Sequence, residues 1–192
     1  MFYFKKKFYE NYAVVLDFVP PGYYSLNSRF RRKGVAQVIG EDYFILLEIL
    51  TQETTTLSIR ERIYIGKGVS DRFFKVSRRL SYDDLTMNAK TELPYIVSEI
   101  ISRKEKKFVE FFNNARPLTT RMHSLELLRG IGKKTLWEIL EERKKKPFKS
   151  FKDIEERTRI PSVKKIIVER IIEEIMGKQK YYIFVAPLKY QY

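Results

Sequence analysis

The sequence predicts an α+β protein. A small antiparallel β-barrel stands first, an all-α domain of two consecutive helical hairpins follows, and a C-terminal strand returns to the barrel. Three observations carry this. Residues 12–80 hold about five short β-rich runs parted by turn signals. From Ser81 onward apolar residues recur at helical spacing. The tail Tyr181-Tyr-Ile-Phe-Val-Ala186 is strand-like again by propensity, and a lone strand must find a sheet. The boundaries read as a barrel over 1–80, a helical connector over 81–116, the hairpin domain over 117–180 and the returning strand over 181–192.

Taken in order, Tyr12-Ala-Val-Val-Leu-Asp-Phe-Val19 is a β-rich run stopped by Pro20-Pro21-Gly22. Val35–Ile39, Tyr43–Leu50, Leu57–Ile65 and Phe73–Leu80 supply further strands. The turns between them are Gly40-Glu-Asp42, Thr51–Thr56 and Gly66-Lys-Gly68. Strands of this length and spacing suit an oligonucleotide-binding-like barrel, with an SH3-like barrel as the competitor. Tyr43–Leu50 also fits a helix, since short apolar runs are ambiguous. Ser81-Tyr-Asp-Asp84 has the shape of a capping box and predicts a helix start there, with Leu93-Pro94 ending that helix. Tyr95–Asn114 continues as one or two helices on an apolar stripe of Ile96, Ile100, Phe108, Phe111 and Phe112. Arg116-Pro117 leads into the hairpin domain.

Composition bounds the function. The chain has 192 residues and a net charge of +14, from 38 basic and 24 acidic side chains. Residues 1–80 carry 14 basic and 8 acidic groups, residues 117–180 carry 17 and 10, and residues 81–116 balance at 6 and 6. Two basic regions therefore flank a neutral spacer, a balance that favours an anionic partner. Cysteine is absent, which removes disulfides, thiol nucleophiles and zinc knuckles. The start Met-Phe-Tyr-Phe-Lys-Lys-Lys has charges where a signal peptide needs its apolar core, so a soluble cytoplasmic protein is expected, with no membrane partner.

The most informative stretch is Leu125-Glu-Leu-Leu-Arg-Gly-Ile-Gly-Lys-Lys-Thr135. Gly130 and Gly132 allow a tight turn that presses its backbone against another chain. A helix starting near Lys133 adds unpaired N–H donors and a partial positive charge. Arg129, Lys133 and Lys134 add cations, Ile131 and the flanking leucines lock the turn, and Thr135 brings a hydroxyl. The stretch resembles the hairpin of the helix-hairpin-helix family, which grips nucleic-acid backbones without reading sequence. The following Leu-Trp-Glu-Ile-Leu run agrees with this, its Leu136, Ile139 and Leu140 joining Leu125, Leu127 and Leu128 to lock the two helices together. A weaker second copy spans Ile154–Ile175, where Lys164 and Lys165 align with Lys133 and Lys134. Pro161 and Ser162 replace its glycines, so that turn cannot expose its backbone in the same way. It is expected to pack on the first copy, with Phe148 and Phe151 filling the seam.

In the N-terminal half, Pro20–Val35 holds Tyr23, Tyr24 and Phe30 beside Arg29, Arg31, Arg32 and Lys33. Rings beside guanidiniums suit a single-strand surface, where bases stack and cations hold the backbone. The competing reading is a solvated loop whose aromatics patch one end of the barrel. Lys5, Lys6 and Lys7, among Phe2, Phe4 and Phe8, read as an edge strand with a wet face or as a basic arm.

The sequence argues against catalysis, metal and cofactor. His123, the only histidine, reads as a cap or packing residue at the entry to the first hairpin. Glu41-Asp42 and Asp83-Asp84 sit at turns. Lys134 and Asp153 match the separation of catalytic residues in helix-hairpin-helix glycosylases, but Asp153 follows Ser150 in a helix start rather than a substrate loop.

The whole chain resembles an archaeal family of unknown function, domain-of-unknown-function family 655, described as predicted RNA-binding proteins. The matching stretches are Gln37-Val-Ile-Gly-Glu-Asp-Tyr-Phe44, Glu61-Arg-Ile-Tyr-Ile-Gly-Lys-Gly68, Tyr82-Asp-Asp-Leu-Thr86, Phe111-Phe-Asn-Asn-Ala115 and the hairpin with Lys145-Lys-Pro-Phe148. The family pattern has a Pro before the hairpin glycine where this chain has Arg129. The resemblance implies a barrel joined to a helix-hairpin-helix region and supplies no reaction. The expected function is non-enzymatic binding of structured RNA through its phosphates, in a ribonucleoprotein or ribosome-associated setting. The alternatives are a duplex-DNA accessory of repair or recombination, and a protein-interaction scaffold.

Overall fold

A computed structural model describes residues 8–22, 33–66 and 74–187. The chain forms two compact units, Met1–Ile96 with Glu174–Tyr192, and Val97–Glu173.

The first unit is built on a five-stranded antiparallel sheet: β1 (Tyr12–Val19), β2 (Val35–Gly40), β3 (Leu46–Thr51), β4 (Arg62–Tyr64) and β5 (Phe74–Arg79), in the order β4-β1-β2-β3-β5. Tyr43–Leu50, open to a helical reading in the sequence, supplies a strand. The sheet is not closed among the described residues, which corrects the expected barrel. The reason lies in its burial. Ala13 to Leu16 of β1 are buried in succession, so both faces of the strand are covered, whereas a small barrel wets its outer face. One face carries Ala13, Val15, Val38, Leu47 and Ile49 in a single apolar cluster. The other carries Val14, Leu16, Ile39 and Leu46.

Helix α1 (Met87–Arg103) starts at Met87, not at Ser81. Asp84 serves its own turn and the end of β5, accepting from the Ser81 N–H (2.8 Å) and hydroxyl (2.6 Å) and from Arg78 (3.2 Å). Thr86 is the cap instead: its Oγ1 accepts from Ala89 N–H and donates to Asp17 of β1. Pro94 lies inside α1 rather than ending it. It is exposed, so water can replace the donor that proline removes.

The C-terminal segment does return to this unit, but its described residues, 181–187, form no strand. The amides of Ile183, Phe184 and Val185 all donate to the buried Glu174 carboxylate, at 2.8–2.9 Å. With its donors spent on one side chain, the segment cannot form a ladder. Ala186 N–H, donating to Tyr43 C=O (3.1 Å), and the Ala186 carbonyl, accepting from Arg79, join it to the sheet region. Glu10 does the same for the β2–β3 turn, accepting from Asp42, Tyr43 and Ile45 N–H; burial pushes its carboxyl above the ordinary range despite those bonds.

The second unit holds α2 (Glu105–Asn114), a one-turn 3₁₀ helix (Ser124–Leu127), α3 (Lys133–Lys145), α4 (Phe151–Arg157) and the body of α5 (Val163–Met176). The entry helix of the first hairpin is thus a single 3₁₀ turn. Phe148 and Phe151 are buried in the link between α3 and α4. Asn113 fixes that link by exchanging two hydrogen bonds with the Phe148 backbone, at 2.8 and 2.9 Å. Across the described residues no helix is long and apolar enough to cross a membrane.

Candidate nucleic-acid interface

Leu125, Leu128, Ile131, Leu136 and Ile139 are buried and hold the glycine turn between the 3₁₀ helix and α3. Ile131 N–H donates to Leu128 C=O (3.1 Å), closing the turn. Gly130 has φ +83°, a left-handed conformation that strains any side chain. Gly132 is different. Its φ of −86° and ψ of −179° are ordinary extended backbone, and a Cβ there would meet nothing within 4 Å. Every other described glycine either has positive φ (Gly22, Gly130, Gly177) or would drive a Cβ within 2.6 Å of a side chain (Gly34, Gly40, Gly66). The fold therefore does not require a glycine at position 132. Yet this is the N-cap of α3, where Ser, Asp, Asn or Thr would bond the free amides.

No side chain caps α3, and its first turn contains no acidic residue. Among the described residues the amides of Gly132, Lys133 and Lys134 find no partner. The α2 start likewise has no side-chain cap, though it begins with Glu105, whose carboxylate accepts from Phe151 N–H. The remaining helix starts of this unit are supplied with acceptors. Glu126 and His123 form a capping box on the 3₁₀ helix, and Ser150 Oγ accepts from Asp153 N–H on α4. On α5, Glu155 accepts from Val163 N–H (2.8 Å). The start of α5 is thus already supplied with the chain's own carboxylate.

The predicted cations divide accordingly. Arg129 and Lys134 are exposed and make no ion pair or hydrogen bond among the described residues. Lys133, expected at the anion, instead reaches back to Glu126 (2.7 Å) and the Arg121 carbonyl (3.1 Å). That lysine holds the Glu126 carboxyl below its ordinary range. Thr135 is half-buried. Lys164 and Lys165 sit beside the satisfied α5 start, half-buried and exposed respectively. Lys33 is exposed just before β2. Tyr23, Tyr24, Arg29, Arg31 and Arg32 lie outside the described residues, as do Lys5, Lys6 and Lys7.

His123 is buried and caps through Nδ1, which accepts from Leu125 N–H (3.2 Å). Burial, then the nearby Arg143 charge, pushes its imidazole pKa below the ordinary value. Asp153 is held in the α4 start, accepting from Lys149 N–H and pairing with Arg157. No group of three or more His, Cys, Asp or Glu side chains suited to a metal occurs among the described residues.

Trp137 was not among the residues that the sequence pointed to. Placed within an apolar run, it is in fact 62 % exposed. The signal was available: buried Leu136 and Ile139 set the inner face of α3, and Trp137 lies about 100° away from Leu136 on a 3.6-residue helix.

Comparison with known proteins bears on the whole chain. A crystal structure of Af1531 from Archaeoglobus fulgidus superposes with a TM-score of 0.82 at 50% identity, covering 92% of this chain and 100% of that one. The uncharacterized protein MJ0038 of Methanocaldococcus jannaschii is 44% identical over 183 residues, 94% of this chain and 82% of that protein. The model of a protein family of unknown function, DUF655, matches residues 9–186. With a family match of that extent and two archaeal relatives at this level of identity, the chain belongs to the DUF655 family.

Proposed function

We propose that this protein binds nucleic acid without catalysing a reaction, gripping RNA backbone phosphates in the turn Arg129–Lys134. The segment from the 3₁₀ helix through α3 acts as a helix-hairpin-helix. The supporting observation is Gly132: a glycine the fold does not need, at a helix start left without a cap. A bare Cα lets a phosphate oxygen approach amides that a capping side chain would fill. Arg129 and Lys134 supply charge beside it. The second hairpin, capped by Glu155, serves as support.

In the same reading the first unit is a partly open relative of the oligonucleotide-binding barrel. The β1–β2 connection, one of the loops that such barrels use, carries Tyr23, Tyr24, Arg29, Arg31 and Arg32. Affinity then falls steeply with salt while sequence preference stays modest.

Fluorescence anisotropy tests this with single-stranded RNA, hairpin RNA and duplex DNA at several salt concentrations. Gly132→Val keeps the fold, because the space is open, and loses RNA binding. Gly132→Asp loses binding too, while the new cap and its favourable charge raise stability by roughly 0.3–1 kcal/mol. Tighter binding to duplex DNA moves the assignment to a repair or recombination accessory. Undiminished RNA binding by folded Gly132→Val rules out the turn as the grip.

A further inference from the structure

The structure places the protein's only tryptophan beside the proposed phosphate grip, facing water. Trp137 follows Lys133 by four residues and Lys134 by three, so it stands on their side of α3, about one 5.4 Å turn further along. Its 62 % exposure is large for a tryptophan. The helix does not need it there: the inner face is filled by Leu136 and Ile139. The two neighbouring carboxylates are both matched, Glu138 with Arg159 (3.6 Å) and Glu141 with Lys144 (2.8 Å). Lys134 has no partner among the described residues, and neither does Arg129 in the turn. The local pattern is a flat ring adjoining unmatched cations and open amides.

That pattern fits a polymer that alternates charged groups with flat rings. We infer that Trp137 stacks on an unpaired base whose neighbouring phosphate lies at the Gly132 turn, so that the preferred ligand is a single-stranded or looped region rather than a continuous duplex. The inference rests on the phosphate grip proposed above and adds which part of the nucleic acid it selects. A duplex would present only its backbone to the turn and leave the indole idle. An unpaired nucleotide spans the distance between the amides and the ring.

The test uses the full chain and reads both anisotropy and intrinsic fluorescence, which reports on Trp137 because there is no other tryptophan. The probes are a single-stranded RNA 12-mer, the corresponding blunt duplex RNA, and inorganic polyphosphate, which has the charge but no bases. The single strand is expected to quench the indole emission, and polyphosphate is expected to bind in a Gly132-dependent way without quenching. Trp137→Ala should weaken single-strand binding roughly 5- to 150-fold, the loss of one stacked base, leaving polyphosphate affinity unchanged. Trp137→Phe should restore most of it. Because the side chain is exposed, neither variant threatens the fold.

Gly132-dependent RNA binding without quenching, and unaffected by Trp137→Ala, overturns the stacking inference and leaves the phosphate grip standing. Absence of binding to all three probes removes both. Emission that changes with protein concentration rather than with RNA makes Trp137 a self-association contact, and also overturns the inference.

Discussion

Single residues in this protein are often asked to satisfy backbone rather than to face a partner. His123 is the clearest case. Its Nδ1 must be unprotonated to accept from Leu125 N–H, and burial disfavours its charged form. The native state therefore takes up the proton less readily than the unfolded chain does. The sign follows from linkage: the stabilisation is complete above the ordinary value of 6.5 and is lost as pH falls from there through the lowered native value. Asp84, Glu126 and Glu142 are held below their ordinary values of 3.8 and 4.5, so they titrate outside this window. The raised Glu10 carboxyl acts in the opposite sense, its contribution being lost as pH rises. Urea unfolding at about pH 7.5 and about pH 5.5 should compare the wild type with His123→Asn, which caps without titrating. The wild type should lose stability relative to the variant at the acid end. An equal pH dependence in the two proteins would count against the cap. The same economy applies to Lys133, whose pairing with Glu126 and the Arg121 carbonyl ties the turn to the chain before it.

Among the elements, the starts of α3 and α5 differ in one respect, on which the proposed phosphate grip rests. The α3 start is open and the α5 start carries Glu155. Basic residues alone would make them equal, since each has a lysine pair. If open amides matter, Arg129→Ala with Lys134→Ala should weaken RNA binding far more than Lys164→Ala with Lys165→Ala. For a single strand, each phosphate no longer neutralised should also lower the slope of log affinity against log salt by about 0.7. Comparable weakening from both pairs, measured by anisotropy across salt, would mean that diffuse charge does the binding. Several other cations are structural. The Arg143 guanidinium donates to the Phe112 and Ala115 carbonyls, and Arg157 to those of Glu142 and Lys146 while resting 4.5 Å from the Phe148 ring. Net charge therefore overstates the cations available to a partner.

For the molecule as a whole, the N-terminal unit depends on chain from the far end of the sequence. Ala186 belongs to the sheet's apolar cluster, and Glu174 gathers three amides of the tail. Hydrogen bonds to a charged group contribute about 1.5–3 kcal/mol each. With three such bonds at the low end of that range, Glu174→Ala should destabilise the first unit by on the order of 5 kcal/mol and expose the amides of Ile183, Phe184 and Val185 to fast hydrogen exchange. Protection of those amides in the variant would show that the tail is held by its apolar contacts instead.

The α+β class, the location of all five strands, the glycine turn and the start of α4 at Ser150 were legible in the chain alone. These are local matters, set by period, propensity and turn chemistry within a few residues. Two further signals were present that a local reading passes over. The unbroken apolar runs Ala13–Leu16 and Phe44–Leu47 point to a sheet covered on both faces, and the period of α3 turns Trp137 outward. What the polar groups do was decided by packing. That Asp84 serves a turn and Thr86 the helix, that Glu174 draws the tail out of strand geometry, that Glu155 closes the second hairpin and leaves the first open: each depends on residues 3 to 11 positions apart meeting in one geometry. A buried amide must be paired, and which acceptor reaches it is settled only when the chain is packed.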